Sequence, residues 1–215
     1  MCTHTAAADV GGRSGISIGG NDTQLLSCTI YGGNAGAATT LATNGGQGII
    51  VTTNANNAVI KNCIIASGDG GDGGATGGNG GDGIFVADGA TETEVIDTTI
   101  LYTGNGGAAA TDGRGGHGVY IDGSATGAFD TVIRNCTIRN TGAGGDPMDT
   151  ALGGKAVLDG VTAVANLSMV YSNFAHNIAN AIKYDLQGLG TEQGVALANP
   201  PTATVVNPFA NVFVS

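Results

Sequence analysis

The chain repeats itself every 35 residues, and this period limits the possible folds more than any other feature. Copies of a glycine followed by isoleucine or valine begin at Gly48, Gly83 and Gly118, each 35 residues after the last. Cys28 and Cys63 mark a later part of the same unit at the same spacing. A fixed period of this length is typical of stacked repeats, in which each unit buries its apolar face on its neighbours.

Each repeat contains three short apolar runs that predict strands. The first run alternates with a period of two, so that Ile84 and Val86 are expected to face inward. The second and third runs supply further inward columns, whose members are Leu25, Ile60, Val95, Ile133 and Met169, then Ile30, Ile65, Ile100, Ile138 and Phe174. Between these two runs the alternation slips by one residue, at Ser27, Asn62, Asp97, Asn135 and Tyr171. Because asparagine and aspartate tolerate left-handed backbone, this slip predicts a tight bend.

Three β-branched strands per repeat, without helical periodicity, predict an all-β fold. We expect a right-handed parallel β-helix, a solenoid of about five coils with long stacked glycine-rich loops. The pattern divides the chain into a lead-in over 1–13, the parallel β-helix over 14–184 and an extended apolar tail over 185–215.

The loops are rich in glycine and equal in length. Cys28 to Gly48 and Cys63 to Gly83 each span 20 residues, and from Gly68 to Gly83 every third residue is glycine. A three-residue period is that of the extended polyproline-II helix, where glycine allows backbones to approach closely. A flexible linker and ordered stacked arms both fit this composition. Equal length favours arms that stack on one another.

Charge and hydropathy exclude some classes of partner. The net charge is −10 and the chain has seven lysines and arginines, so we expect no nucleic-acid partner. No apolar run is long enough to span a membrane as a helix, and the start shows no signal peptide. We nevertheless expect an extracellular or cell-surface protein.

Two short motifs resemble known repeat families. The stretch Arg134-Asn135-Cys136-Thr137-Ile138 resembles right-handed parallel β-helix proteins of the pectate-lyase-like superfamily. Phe174-Ala175-His176-Asn177 and Gly153-Gly154-Lys155-Ala156-Val157 are loosely similar to the repeats of polymorphic outer-membrane proteins. The resemblance implies the fold and leaves function open, because lyases, hydrolases, phage tailspikes and adhesins share that architecture.

Within this resemblance, Gly116-His117-Gly118 is similar to a catalytic-region motif of the polygalacturonase branch. The paired aspartates of that branch have no counterpart, because the sequence has no Asp-Asp. Glycoside hydrolysis needs two carboxyl groups at a set separation. His117 also occupies the repeat position of Gln47 and Asp82, which we expect to face outward. We therefore predict no catalytic residues and no enzyme.

Calcium and cysteine chemistry stay open at this stage. Residues 77–85 fit one calcium-binding nonapeptide, which normally works in tandem copies. This makes Asp69, Asp72 and Asp82 weak calcium candidates in a chain for which we otherwise expect no cofactor. Three cysteines (Cys28, Cys63 and Cys136) fall in one inward column, where thiols are expected and a Cys28–Cys63 disulfide stays possible.

The C-terminal tail is uncharged from residue 194 onward and carries apolar patches. An apolar patch of this kind usually marks an interface. The candidate assembly residues are Val205, Val206, Phe209, Val212, Phe213 and Val214. We expect a non-enzymatic structural or adhesive module that forms homo-oligomers or polymers, with a surface glycan or another surface protein as further partner. The alternative is a carbohydrate-active enzyme or a polysaccharide-binding, tailspike-like domain.

Overall fold

A computed structural model describes residues 2–5, 11–122, 131–146, 153–159, 169–175, 186–187 and 213–214. In these ranges the chain forms short strands, turns and loops, without a helix. It accordingly contains no helical segment with the length and hydropathy of a membrane span in the described part. The strands are β1 (Cys2–Thr5), β2 (Ile16–Ile18), β3 (Gln24–Leu26), β4 (Cys28–Tyr31), β5 (Ile49–Val51), β6 (Val59–Lys61), β7 (Ile64–Ala66), β8 (Ile84–Val86), β9 (Glu94–Ile96), β10 (Thr99–Tyr102), β11 (Val119–Ile121), β12 (Val132–Arg139), β13 (Val157–Asp159), β14 (Met169–Ala175), β15 (Leu186–Gln187) and β16 (Phe213–Val214).

The strands stack into three faces, and the strands within each face are parallel. One sheet has the order β15-β13-β11-β8-β5-β2 and forms the first face. In the other sheet, β3, β6 and β9 pair towards the first half of β12, while β1, β4, β7 and β10 pair towards its second half. Strands β12 and β14 run through the corner and join the second and third faces. The predicted parallel β-solenoid is confirmed, with about four turns. Of the fifth predicted coil, the structure describes β13 (Val157–Asp159) and β14 (Met169–Ala175).

The inward columns are in the predicted register. Ile30 pairs with Ile65, Ile65 with Ile100, and Ile100 with Ile138, and all four side chains are buried. The backbone of Ile138 pairs in turn with Phe174. Burying one such side chain contributes roughly 1.5 to 3 kcal/mol, so each column is a continuous source of stability.

The corners between the second and third faces have the predicted left-handed backbone. The φ angles of Ser27, Asn62, Asp97 and Asn135 lie between 49° and 55°. Their side chains also stack from coil to coil: Asn62 Nδ2 donates to Ser27 Oγ at 3.1 Å, and Asn135 Nδ2 donates to Asp97 Oδ1 at 2.6 Å. The same residues therefore form the bend and link adjacent coils.

The glycine-rich loops are stacked arms. In the second loop, an outgoing limb (68–74) lies beside a returning limb (76–83), since Gly78 N donates to Gly71 O at 2.9 Å. The next outgoing limb bonds to this returning limb, with Gly107 N donating to Gly78 O at 2.8 Å. Outgoing limbs also bond to each other, as Gly70 N does to Asn105 O at 2.8 Å. The prediction that one loop stacks on the next is confirmed.

Glycine is required in the arms for close approach rather than for unusual dihedral angles. None of the arm glycines has φ in the left-handed region. A Cβ atom built on Gly80 would instead overlap the carbonyl oxygen of Gly104, and one on Gly104 would overlap that of Gly68. Limbs with the three-residue period of polyproline II make no internal hydrogen bonds, so they depend on such neighbours to satisfy their backbone groups.

Buried hydroxyl groups join the two limbs where each arm begins. Ser67 Oγ donates to Gly81 O at 2.5 Å, Thr103 Oγ1 to Gly116 O at 2.5 Å and Thr141 Oγ1 to Gly154 O at 3.0 Å. Thr103 Oγ1 also accepts the N–H of Gly142 in the next coil at 2.8 Å. Each hydroxyl thus anchors an arm to the solenoid, a feature that the sequence analysis did not identify.

Segments outside the predicted repeat also contribute strands. In the lead-in, Cys2–Thr5 pairs with Cys28–Tyr31 and adds a rung to the third face. In the tail, Leu186–Gln187 pairs with β13, and Phe213–Val214 pairs with Phe174–Ala175 of β14. The other candidate assembly residues, Val205, Val206, Phe209 and Val212, lie outside the described residues.

Candidate functional site

A pocket of about 140 Å³ lies where the returning limbs of the arms meet the first face of the solenoid. The limbs supply most of its polar side chains, and strands β8 and β11 supply two aromatic ones. Its lining residues are Asn44, Gln47, Asn79, Gly80, Asp82, Phe85, Arg114, Gly115, His117 and Tyr120.

The polar side chains of the pocket bridge one coil to the next. Asn44 Oδ1 accepts the backbone N–H of Asn79 at 2.8 Å, and Asn79 Oδ1 accepts that of Arg114 at 2.9 Å. Because a backbone N–H can only donate, each amide must turn its oxygen to the neighbouring coil and its NH₂ group away. Gln47 also bridges two coils, since its Oε1 accepts the hydroxyl of Ser14 at 3.0 Å.

Asp82 and His117 continue a second column of such bridges. Asp82 Oδ1 accepts the backbone N–H of His117 at 2.8 Å, and His117 Nδ1 accepts that of Lys155 at 2.9 Å. Both side chains are buried, with exposed fractions of 8% for Asp82 and 5% for His117. The expectation that this repeat position faces outward does not hold for Asp82 and His117, which are buried, whereas Gln47 at the same position is partly exposed.

Burial changes the ionisation of Asp82. Loss of hydration raises the pKa of its carboxyl group from 3.8 to about 7, while the His117 N–H and the Arg114 charge act in the opposite direction. A single hydrogen bond to Oδ1 and the charge of Arg114, an exposed residue, are not enough to offset the burial. Asp82 therefore changes charge near neutral pH.

His117 stays neutral over the same range. Burial, with the positive charges of Arg114 and Lys155, lowers the pKa of its imidazole from 6.5 to about 3. Since Nδ1 accepts a hydrogen bond, the ring proton is on Nε2. This Nε2 is buried and has no hydrogen-bond partner among the described residues. A buried donor without a partner is uncommon in folded proteins.

Phe85 and Tyr120 form the apolar wall of the pocket. They occupy one outward column of the first face, with ring centroids 5.4 Å apart in an edge-to-face arrangement. The ring of Tyr120 also lies edge-to-face with His117, at 5.6 Å. Burial raises the pKa of the Tyr120 hydroxyl, and the charge of Asp122 adds to this effect. The hydroxyl therefore stays protonated at neutral pH.

The size and composition of the pocket limit its chemistry. Pockets for drug-sized ligands measure about 300 to 1,000 Å³, whereas a 150 Å³ cavity holds a molecule such as benzene. The lining contains one carboxyl group, that of Asp82. It therefore lacks the carboxyl pair that glycoside hydrolysis uses, and it suits one small bound group rather than an extended chain.

The structure does not bring the three calcium candidates together. Asp69 and Asp72 lie on the outgoing limb, where their Oδ1 atoms accept the N–H groups of Asn105 at 2.7 Å and Ala108 at 2.9 Å. Asp82 lies on the returning limb. No three histidine, cysteine, aspartate or glutamate side chains in the described ranges form a group suited to a metal ion. Calcium binding at these residues stays a prediction.

The cysteines occupy the predicted inward column. Cys28, Cys63 and Cys136 are buried thiols, and none of the three is in a disulfide. The Sγ atoms of Cys63 and Cys136 lie 3.3 Å from the carbonyl oxygens of Lys61 and Arg134, respectively. They behave as small core residues and lie outside the pocket.

Several pocket residues were missed from the sequence. Phe85 and Tyr120 share one repeat position, and Asn79 and Arg114 share another, so the 35-residue register could have grouped them.

Comparisons of the chain with protein-family models, curated proteins and solved structures returned no match.

Proposed function

We propose that the chain is a non-enzymatic structural or adhesive module of an extracellular layer or cell surface, and that copies of it stack end to end. The main support is the first coil of the solenoid. Ile16 and Leu25 share columns with Ile49 and Ile60, which are fully buried, yet they are only partly covered themselves. A second copy placed on this coil would continue both columns.

The strand edges favour the same arrangement. Strands β2 and β3 are the outermost strands of their faces at this end, and β15 and β16 are outermost at the other, as far as the structure describes the chain. Outer strands present N–H and C=O groups to a further strand. Because all strands are parallel, one copy can add head to tail to the next, and such a contact does not close on itself.

The arms and the pocket support a structural function. Stacked limbs bonded through their backbones make the loops a continuation of the solenoid. The pocket has one carboxyl group, which supports a module without hydrolytic activity. A relationship to the pectate-lyase-like superfamily is part of this proposal, supported by the solenoid and by the Asn-Cys-Thr-Ile turn at residues 135–138.

Light scattering over a wide range of protein concentration tests the assembly. The parent chain should gain mass as its concentration rises. Leu25→Lys, which places a charge on the open end, should stay monomeric because an ammonium group opposes burial and strand addition there. Leu26→Lys is the matched control: its parent side chain is the next residue on the same strand and is 50% exposed, so its assembly should match that of the parent.

Thermal unfolding of both variants establishes that each is folded before its mass is interpreted. A parent chain that is monomeric at every concentration contradicts the assembly proposal. So does a folded Leu25→Lys variant that assembles as readily as the parent.

A further inference from the structure

The bridges between coils leave the pocket rich in hydrogen-bond donors. Asn44, Gln47 and Asn79 use their side-chain oxygens, and His117 uses Nδ1, to accept bonds within the stack. Each of these side chains keeps at least one N–H group that none of these bonds uses. The same hydrogen bonds that hold the arms together thus select donors for the pocket lining.

Positive charge adds to these donors. Arg114 lines the pocket and its charge acts on both Asp82 and His117, while Lys155 lies near enough to His117 to affect the pKa of its imidazole. Two of the seven basic residues therefore lie around this pocket in a chain of net charge −10. His117 also lines the pocket, and its buried Nε2–H has no acceptor among the described residues, which independently indicates that an acceptor is missing beside this side chain.

We propose that this pocket binds a small oxyanion, a tetrahedral phosphate or sulfate group or a carboxylate, through Arg114 and the side-chain N–H groups of Asn44, Gln47, Asn79 and His117. A volume of about 140 Å³ is ample for one such group. Charge-assisted bonds from a guanidinium group to an oxyanion are stronger than bonds between neutral groups. The proposal is independent of whether copies of the chain stack.

Asp82 sets the pH dependence of this binding. Its carboxyl group faces Arg114 and the backbone of His117, with Lys155, Tyr120 and Asp122 as the other titratable groups around the pocket. The pKa of Asp82, about 7, lies between pH 6 and 8. When ionised it repels an anion, and when protonated it no longer does, so binding should weaken as the pH rises through 7.

NMR titration of the ¹⁵N-labelled full chain tests the site with sodium sulfate, sodium phosphate and sodium acetate at constant ionic strength set with sodium chloride. Saturable shifts should appear at the amides of Gly80, Gly115 and His117. If sulfate or phosphate saturates the shifts and acetate does not, the ligand is a tetrahedral group. If acetate saturates them and neither tetrahedral anion does, the ligand is a carboxylate. No saturation with any of the three overturns the proposal.

Variants assign the binding to the pocket. Arg114→Gln should weaken it by about tenfold or more, which corresponds to the loss of one charge-assisted bond. Arg139→Gln removes a charge of the same kind from an exposed position outside the pocket and should leave binding unchanged. Equal affinities in the parent and Arg114→Gln would overturn the proposal.

Sulfate does not titrate between pH 6 and 8, so it isolates the effect of the protein. The parent should bind sulfate more weakly at pH 8 than at pH 6. Asp82→Asn keeps an oxygen for the His117 N–H, and it should bind equally at both pH values. If the sulfate affinity of the parent does not change with pH, or if Asp82→Asn keeps the pH dependence of the parent, Asp82 does not control the pH dependence of binding.

Discussion

Replacing Gly80 with alanine should prevent the native arm from forming and lower the free energy of unfolding by at least about 3 kcal/mol. The added Cβ would overlap the carbonyl oxygen of Gly104 in the next coil. Neither backbone can withdraw easily, because Gly80 N donates to Arg114 O at 2.7 Å and Gly104 N donates to Gly81 O at 3.1 Å. Relieving the overlap would break these hydrogen bonds or separate the coils.

Gly20→Ala is the matched control for this change. A Cβ at Gly20 meets only the hydroxyl oxygen of Thr23, at 3.4 Å, which is an ordinary contact, and Gly20 has no left-handed φ. An alanine at a compatible position reduces the entropy of the unfolded chain and stabilises by roughly 0.4 to 1 kcal/mol. Urea unfolding should therefore show opposite signs for the two variants. Equal, small effects would mean that the arms do not pack as the structure has them.

Asp82→Asn and His117→Asn should reveal two opposite pH dependences of stability that nearly cancel in the parent. The folded-state pKa of Asp82 is raised from 3.8 to about 7, so its contribution to stability falls as the pH rises through that interval and is constant above it. The folded-state pKa of His117 is lowered from 6.5 to about 3, so its contribution grows as the pH rises to 6.5.

Removing one of the two titrating groups should reveal the pH dependence of stability that the other group causes. As the pH rises from 4 to 7.5, the free energy of unfolding should increase by roughly 3 to 4 kcal/mol in Asp82→Asn and decrease by a similar amount in His117→Asn. The free energy of unfolding of the parent should change little over this range. Asparagine keeps the side-chain oxygen that accepts the next coil's N–H in both variants, as Asn79 does for Arg114. Urea titrations at the two pH values measure this. The same pH dependence in the parent and both variants would show that neither group is buried as described.

The periodic part of this fold was predictable, because each inward column places apolar residues 35 residues apart, with one longer step of 38 residues in the fourth unit. Ile30, Ile65, Ile100 and Ile138 follow this rule, and the left-handed corners follow from the residues at Ser27, Asn62, Asp97 and Asn135. Stacking of the arms was predictable from their equal length. These features depend on local spacing, which the sequence displays directly.

The pocket could not be predicted in the same way. Whether Asp82 and His117 face water depends on the arms of adjacent coils, which cover a position that the strand alternation places outside. The hydroxyl anchors Ser67, Thr103 and Thr141 also escaped notice, because Ser67 and Thr103 are 36 residues apart, one residue out of the repeat, and because their hydrogen bonds depend on how the two limbs of an arm meet. Contacts made between arms thus decide the features that the period does not describe.

Amide hydrogen exchange of the arms tests the central claim, that the glycine-rich loops are part of the hydrogen-bonded solenoid. The N–H groups of Gly71, Gly78 and Gly81 donate to backbone oxygens at 2.8 to 3.1 Å, as does that of Ile84 in strand β8, at 2.9 Å. We predict that the three arm amides exchange as slowly as that of Ile84, because they open only when the stack does. Exchange of the arm amides at the rate of an unstructured chain, while that of Ile84 stays protected, would contradict the account.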